Sequence, residues 1–441
     1  MNKRYPLVIV ALVAFLAVYF TDIGIPDHSR QVLAIVIFAA VLWFTEALPL
    51  HVTGLFAAFM LSTAGGLTPK QVFPPFFDPI IALLLGGFVL AVGMQKHGLD
   101  EYLARRFLSV IGDRPRVVLL GMMLMSAFLS MWITNTAATI IMLALAISML
   151  KDSGVRPMGS SFAKALILGI AFSSTLGGIG TLIGTPPNMI AVKFLADQGI
   201  RVSFTDWMAM TLPFVLVMLP IMWVVLSLVF RQDVRSLRIR PHKGGMTRNQ
   251  KAVFTVFALT ILLWLTTEIH GISSYVIALV PVILFYLLGL LDTNDFSKVS
   301  WPTLVLLGSG LSLGSAIAIS GLDKVIAASL GSAVTGFSLP LIMLSVAFLG
   351  ILLTAFASNT ATAAIFVPVI IPLTAALGLD LRLLTVLAGI SVSLDFIVPI
   401  GTPPDTVAYS SGYIKTKDMA KAGMIITLIA VLLLVGWFSL F

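Results

Sequence analysis

Two short polar runs interrupt long apolar stretches of this 441-residue chain, Thr134-Asn135-Thr136 and Ser358-Asn359-Thr360. Hydroxyls and an amide at a break between two half-helices offer two kinds of chemistry. The amide oxygen, the hydroxyls and the carbonyls freed at the end of one half-helix are hard oxygen ligands for a cation. The N–H groups and positive dipole end that open the next half-helix attract an anion. Taken singly, such a run is most often a plain helix N-cap; its appearance twice favours a binding role. Two Gly-Thr-Pro-Pro elements, at 184–187 and 401–404, mark further breaks, because tandem prolines remove backbone donors and clash with the preceding turn. Two carboxylates, Asp395 and Asp405, flank the second element. No Lys, Arg, Asp or Glu lies within 117–150, 165–192 or 338–379. A multivalent anion bound among these segments meets no protein cation from them, and in a low dielectric it has to be balanced by cations from solution. The pattern points to cation-coupled anion transport.

The surrounding composition sets what must position these residues. Hydrophobic residues make up 59% of the chain and charged residues 10%, against about 25% charged in an average soluble protein. A mean hydropathy of +1.07 excludes a soluble enzyme, a nucleic-acid binder and a disordered scaffold. With no cysteine there is no disulfide or thiolate metal site, and five scattered histidines form no zinc pattern. The fold class expected is an all-α polytopic membrane protein. Spans are expected near 5–21, 30–48, 52–67, 78–95, 162–192, 207–230, 252–269, 274–291, 301–319, 383–412 and 421–440, the first being an uncleaved helix rather than a signal peptide. With the N-terminus in the cytoplasm and the C-terminus outside, 21 of the 27 Lys and Arg fall on the inner side, so the net charge of +8 is a topogenic loop bias. The basic stretch 231–251 then reads as a cytoplasmic loop joining two halves.

The chain also repeats itself. Gly98-Leu99-Asp100 returns as Gly321-Leu322-Asp323, Ala127-Phe128-Leu129 as Ala347-Phe348-Leu349, the 134–136 run as 358–360, and Gly184-Thr185-Pro186-Pro187 as Gly401-Thr402-Pro403-Pro404, always in the same order. The expected topology inverts one copy relative to the other, the signature of a secondary transporter with its site near the bilayer midplane. The stretches 117–150 and 339–378 then read as two re-entrant helix–turn–helix hairpins, with the Asn135 and Asn359 runs at their tips, giving about eleven spans plus two hairpins. Pro368 and Pro372, beyond the second tip, read as bends in a hairpin arm.

The runs around Ser130-Met131-Trp132-Ile133-Thr134-Asn135-Thr136, Gly184-Thr185-Pro186-Pro187-Asn188, Ala357-Ser358-Asn359-Thr360 and Gly401-Thr402-Pro403-Pro404 resemble the divalent anion:sodium symporter family, which includes bacterial dicarboxylate transporters and mammalian sodium–carboxylate and sodium–sulfate cotransporters. The resemblance covers almost the whole chain. It implies a homodimer whose protomers carry a scaffold domain and an elevator-like transport domain. It implies substrate contacts from Asn135, Thr136, Asn359, Thr360, Thr402 and Pro403, with Thr185 and Pro186 as their counterparts. One sodium site would use Ser130, Thr134, Asn135 and Gly184; the other Thr354, Ala357, Ser358, Asn359 and Gly401. The chain departs from the family pattern at Thr134, where Ser is usual, at Asp405, where Asn is usual, and at Asp395, an added carboxylate. The two aspartates are candidate modulators of the second cation site, with an N-terminal helix cap as the plainer reading of Asp405.

The expected division is scaffold helices at 1–116 and 252–338, transport parts at 117–230 and 339–441, and the loop 231–251. The expected activity is import of a small dicarboxylate of the succinate, malate and fumarate class, with Na+ as coupling ion, in the plasma membrane, with lipid as its surroundings and no nucleic-acid partner. The alternative within the same architecture is a proton-coupled or exchanging carrier of dicarboxylate, citrate, tartrate or sulfate. A channel lacks its charge rings or filter carbonyls here. An intramembrane aspartyl protease would need Asp395 and Asp405 to pair across the second break, and that reading ranks last.

Overall fold

Proline and glycine punctuate the apolar runs, and the helices end where they fall. The computed structural model describes residues 4–238, 244–334, 336–399 and 401–440. Lys3, Arg240 and Lys243 of the inner charge set lie outside the described residues. The described residues form helices and turns with no strand. The eleven expected spans correspond to Arg4–Phe20, Asp27–Thr45, Leu50–Thr63, Pro79–Lys96, Ser161–Ile179 with Pro186–Asp197, Phe204–Val229, Arg248–Leu265, Ser274–Leu287, Trp301–Ile319, Leu381–Ser391 with Pro403–Ser410, and Thr416–Phe438. Both stretches that contain Gly-Thr-Pro-Pro are broken in two.

The two remaining apolar stretches are hairpins of matching dimensions. The first joins Pro115–Ser130 to Asn135–Asp152, and the second joins Leu339–Thr354 to Asn359–Ala376; each has a first arm of 16 residues and a second of 18. At 1.5 Å per residue the arms are ~24 and ~27 Å long, somewhat short of the ~30 Å hydrocarbon thickness. Pro368 and Pro372 lie inside the last arm. Ahead of the hairpins, Leu99–Ile111 and Leu322–Val334 are both 13 residues long. They follow Gly98 at φ +63° and Gly321 at φ +72°, left-handed turns that glycine makes without Cβ strain. The repeat therefore extends from motifs to element lengths.

Packing interlocks the copies. Pro186–Asp197, from the first break, packs on Asn359–Ala376 and Leu381–Ser391 of the second half. Pro403–Ser410, from the second break, packs on Asn135–Asp152 and Ser161–Ile179 of the first. Each half thus lends its short half-helix to the other half's hairpin. Ser161–Ile179 is 94% buried and lies at the centre of this set, flanked by Pro115–Ser130 and Phe204–Val229. A second set forms around Asp27–Thr45, Leu50–Thr63 and Trp301–Ile319, and a third around Pro79–Lys96, Ser274–Leu287 and Arg248–Leu265.

The N-terminus of the buried central helix is held from outside the apolar layer. The chain leaves Phe204–Val229 and turns back, and Asp233 accepts hydrogen bonds from Ser160 Oγ (2.8 Å), Ser161 N (2.6 Å) and Phe162 N (3.0 Å). Arg238 N donates to Ser153 Oγ (2.8 Å) and Leu237 N to the Asp113 carbonyl (3.1 Å), which continues the tie. Partial burial by itself raises the Asp233 pKa, but the donors from Phe162, Ser160 and Ser161 outweigh it and hold the carboxyl below the usual carboxylate range. A folded-state pKa below the unfolded one gives stability that is full above the unfolded value of about 3.9 and fades as pH falls through the depressed folded value. We therefore expect Asp233→Ala to lower the melting temperature of the detergent-purified protein at pH 7. The gap to wild type should narrow below about pH 4. A gap independent of pH would remove the charged-cap explanation.

Candidate functional site

Each half-helix that follows a break begins with a hydroxyl residue in extended conformation, and all four of these residues line one cavity of about 470 Å³. They are Thr134, Thr185, Ser358 and Thr402. Three of them accept a hydrogen bond from the backbone three residues on: Thr134 Oγ1 from Ala137 N (3.3 Å), Ser358 Oγ from Ala361 N (3.2 Å) and Thr402 Oγ1 from Asp405 N (3.3 Å). The N-cap reading of the tips is thus correct for Thr134 and Ser358. It leaves Asn135 and Asn359, the first helical residues, available for other work. Four helix N-termini converging on one space make it attractive to anions without any formal charge.

The cavity wall contains every residue expected to meet substrate: Asn135, Thr136, Thr185, Pro186, Asn359, Thr360, Thr402 and Pro403. Among the expected cation ligands, Thr134, Gly184 and Ser358 also line it. Ser130, Thr354, Ala357 and Gly401 lie buried and outside the wall. The two tips have the same internal wiring. Ser130 Oγ donates to Asn135 Oδ1 at 2.6 Å, and Thr354 Oγ1 donates to Asn359 Oδ1 at 2.8 Å, five residues apart in both copies. The hydroxyls therefore orient each amide, and both oxygens of each pair are of the hard type a sodium ion takes. Close packing fixes the first tip further. A Cβ on Gly178 would stand 2.9 Å from Asn135 Nδ2, so only glycine lets the amide reach the first break.

The breaks differ. At the first, Asn188 is fully buried and its Nδ2 donates to the carbonyls of Gly178 (2.9 Å) and Thr181 (2.7 Å), closing the unwound segment on itself. Thr181 Oγ1 in turn donates to the Met131 carbonyl (2.5 Å), which ties the break to the first hairpin turn. At the second, Asp405 occupies the position of Asn188 and cannot make that clasp. Its Oδ2 accepts from Thr402 Oγ1 at 2.8 Å and its Oδ1 has no partner. The cap of that half-helix is Thr402, so Asp405 is not the N-cap. Asp395 is also fully buried; its Oδ1 accepts from Ile397 N (3.0 Å), while Oδ2 lies against Gly401 without a donor.

The expectation of an anion site without any protein cation needs correction, because the opposite wall carries one. Lys298 lines the cavity together with Phe88, Gln95, Ser300 and Thr303. No motif marks these residues; Phe88 and Gln95 come from Pro79–Lys96, and Lys298, Ser300 and Thr303 from the loop and first turn that lead into Trp301–Ile319. Lys298 Nζ donates to Asp295 Oδ1 at 2.8 Å, and the other oxygen of Asp295 takes Lys96, which also pairs with Asp292 at 3.3 Å. Burial of Asp295 acts to raise its pKa, but the hydrogen bonds from Lys298 and Lys96 prevail and hold it below the usual carboxylate range. Most of the Lys298 side chain, 62%, remains exposed.

Comparison with known proteins places this architecture. Residues 2–441 match the family model described as the sodium:sulfate symporter transmembrane region. The sodium-dependent dicarboxylate transporter SdcS of Staphylococcus aureus is 32% identical over 451 aligned residues, covering 95% of this chain and 86% of its own. Among solved structures, Neisseria gonorrhoeae MtrF, described within a class of antimetabolite efflux pumps, superposes with a TM-score of 0.62 at 11% identity, over 97% of both chains. The Alcanivorax borkumensis YdaH transporter superposes with a TM-score of 0.58 at 14% identity, over 94% of this chain and 99% of its own. These two likenesses concern the fold alone.

The Asn188 clasp is directly testable. Asn188→Ala takes the side-chain donor from the buried Gly178 carbonyl and leaves the Thr181 carbonyl only the longer bond from Gly184 N (3.4 Å), a loss of about 1–3 kcal/mol for an unsatisfied buried group. The expected result is a clear drop in melting temperature of the purified protein. An Asn188→Ala protein as stable as wild type would mean that the break does not depend on this amide.

Proposed function

Because the chain belongs to the divalent anion:sodium symporter family, a family of multi-pass membrane transporters and not of enzymes, we propose that it imports a small dicarboxylate driven by sodium. The observation that carries this reading is the convergence of both tips and both Thr-Pro-Pro breaks on one cavity. Substrate carboxylates meet Asn135, Thr136, Asn359 and Thr360 at the tips and Thr185-Pro186 and Thr402-Pro403 at the breaks, where helix N-termini and amides supply the donors. One sodium is held by Ser130, Thr134, Asn135 and Gly184, and another by Thr354, Ala357, Ser358, Asn359 and Gly401. The shared asparagines couple the ions to the substrate, since each amide is positioned for the anion only when its cation is in place. Identity to a sodium-dependent dicarboxylate transporter supports both the ion and the substrate class.

Transport proceeds in an elevator manner. The interlocked hairpins and half-helices, 117–230 and 339–441, move as one body against the scaffold helices of 1–116 and 252–338, within a homodimer. The inner charge bias puts the N-terminus in the cytoplasm, the C-terminus outside and the Lys298 lip of the cavity on the cytoplasmic side. The cavity continues past Gln95, Ala137 and Ile140 toward Glu101 and Arg105 on that side. A counterpart cavity lies between Asp323, Lys324, Phe194 and Pro368, in the equivalent region of the second repeat. On this reading the Lys298 lip of the cavity opens inward.

The decisive experiment is uptake of labelled succinate, malate, fumarate, citrate, tartrate and sulfate into proteoliposomes under a sodium gradient. We expect accumulation of the four-carbon dicarboxylates with sodium outside, and equal uptake in sodium, potassium and choline would refute the coupling. Asn135→Ala and Asn359→Ala should each abolish uptake in a protein that still purifies as a folded dimer. Each loses a charge-assisted contact worth roughly 1.5–3 kcal/mol; wild-type rates in either variant would reduce these residues to helix-start positions.

Lys298 gives a side-specific prediction. Lys298→Gln should raise the half-saturating concentration for dianion efflux about two- to tenfold, an effect of ~0.4–1.4 kcal/mol at an exposed site. Its influence on uptake from the outer side should be smaller, and added salt should shrink the difference. An equal effect on both faces would detach Lys298 from the inward-open lip.

A further inference from the structure

The two breaks solve the same problem with different atoms. In the first copy a Cβ on Gly184 would run into the Gly178 carbonyl oxygen, so that oxygen faces Gly184 directly. It is satisfied by Asn188 Nδ2 at 2.9 Å. In the second copy a Cβ on Gly401 would run into Asp395 Oδ2, so a carboxylate oxygen takes the place of the carbonyl. The clasping residue is now Asp405, which has only oxygens to offer. Donor and acceptor in copy one have become acceptor and acceptor in copy two.

Among the described residues nothing balances this. Asp395 and Asp405 are both 0% exposed. Among the described residues Asp395 Oδ2 and Asp405 Oδ1 have no hydrogen-bond partner, and the donors to the two carboxylates are Ile397 N, 3.0 Å from Asp395, and Thr402 Oγ1, 2.8 Å from Asp405. Among the described residues no Lys, Arg or His interacts with either carboxylate, and the charge of Asp395 reaches Asp405. Buried charges persist when they are paired or coordinate a metal. The free Asp395 oxygen lies against Gly401, and Asp405 bonds to the neighbouring Thr402; Gly401 is read above as a ligand of the second sodium together with the Thr354–Asn359 pair.

We propose that Asp395 and Asp405 are anionic ligands of the cation held at the second break, which makes this a carboxylate site for sodium, while its counterpart at the first break is built from neutral oxygens alone. The proposal rests on the sodium-coupled reading above and deepens it. Ligand charge raises the affinity of a hard-oxygen site for its cation. The second site therefore fills first and at lower sodium concentration, and its charge is neutralised before substrate arrives. Sodium binds the folded site and not the unfolded chain, so sodium alone stabilises the protein even without substrate.

The test is sodium binding to the purified full-length protein without substrate, read as the rise in melting temperature against sodium chloride, with choline chloride keeping ionic strength constant. Asp405→Asn and Asp395→Asn are near-isosteric, and Asp395→Gly reproduces the residue of the first copy, so at least one variant should fold. Wild type should be stabilised by sodium and not by choline. Each variant should lose about tenfold or more in apparent sodium affinity, and the double variant should lose little beyond the worse single one, since both serve one ion. Sodium affinity within twofold of wild type in the folded variants overturns the proposal. So does an unchanged sodium affinity with an altered pH profile of transport, which would assign the pair to a proton. If wild type carries no dicarboxylate on a sodium gradient yet the variants lose sodium binding, the substrate reading fails and the cation site stands.

Discussion

A helix interrupted in an apolar medium leaves N–H and C=O groups that water cannot reach, and every other feature of the site follows from where those groups are gathered. Four interruptions occur, two at hairpin turns and two at Thr-Pro-Pro elements, and all four release their N-terminal ends into one cavity. Irregular backbone at membrane depth is tolerated when it lines a cavity or is buried by protein. Here the hydroxyl caps Thr134, Ser358 and Thr402 take up one N–H each, and what remains is a cluster of donors with a positive dipole behind it. The cavity's donors are thus what an incomplete satisfaction of backbone groups leaves over.

The interlocking of the halves keeps these ends together. Each half-helix after a break packs into the opposite copy. That arrangement brings together segments more than 200 residues apart, and it puts both polar tips on one cavity. It also permits the copies to diverge. An amide clasp at Asn188 ties one break from within, whereas Asp405 and Asp395 each keep an oxygen without a partner among the described residues at the other.

Charge is managed by placement rather than by quantity. The apolar segments that carry the tips hold no ionised side chain, while Asp233 clamps the central helix at its solvent end and the Lys96–Asp295–Lys298 chain stands at the rim of the cavity. Cations beside the opening raise the local anion concentration, whereas a fixed cation inside would hold the substrate too firmly for release.

Much of this was legible in the chain. Hydropathy, the inner charge bias and the repeat of Gly-Leu-Asp, Asn and Gly-Thr-Pro-Pro elements determine an all-helical membrane protein with paired hairpins and paired breaks, because backbone satisfaction in lipid admits few alternatives and proline breaks a helix wherever it falls. The same local rules mark Asn135, Thr136, Asn359, Thr360, Thr402 and Pro403 as the residues beside freed backbone, and all of them line the cavity. Tertiary structure alone decided the rest. The exchange of half-helices between copies depends on packing across more than 200 residues, to which no local period responds. Lys298 reaches the cavity from a loop whose sequence reads as an ordinary solvated charge, and Asp295, which holds it, looks like any helix-start acid. Whether Asp405 was a cap or an unpaired charge depended on which hydroxyl stood beside it and on the absence of a nearby cation, and such absences in three dimensions leave no trace in a one-dimensional pattern.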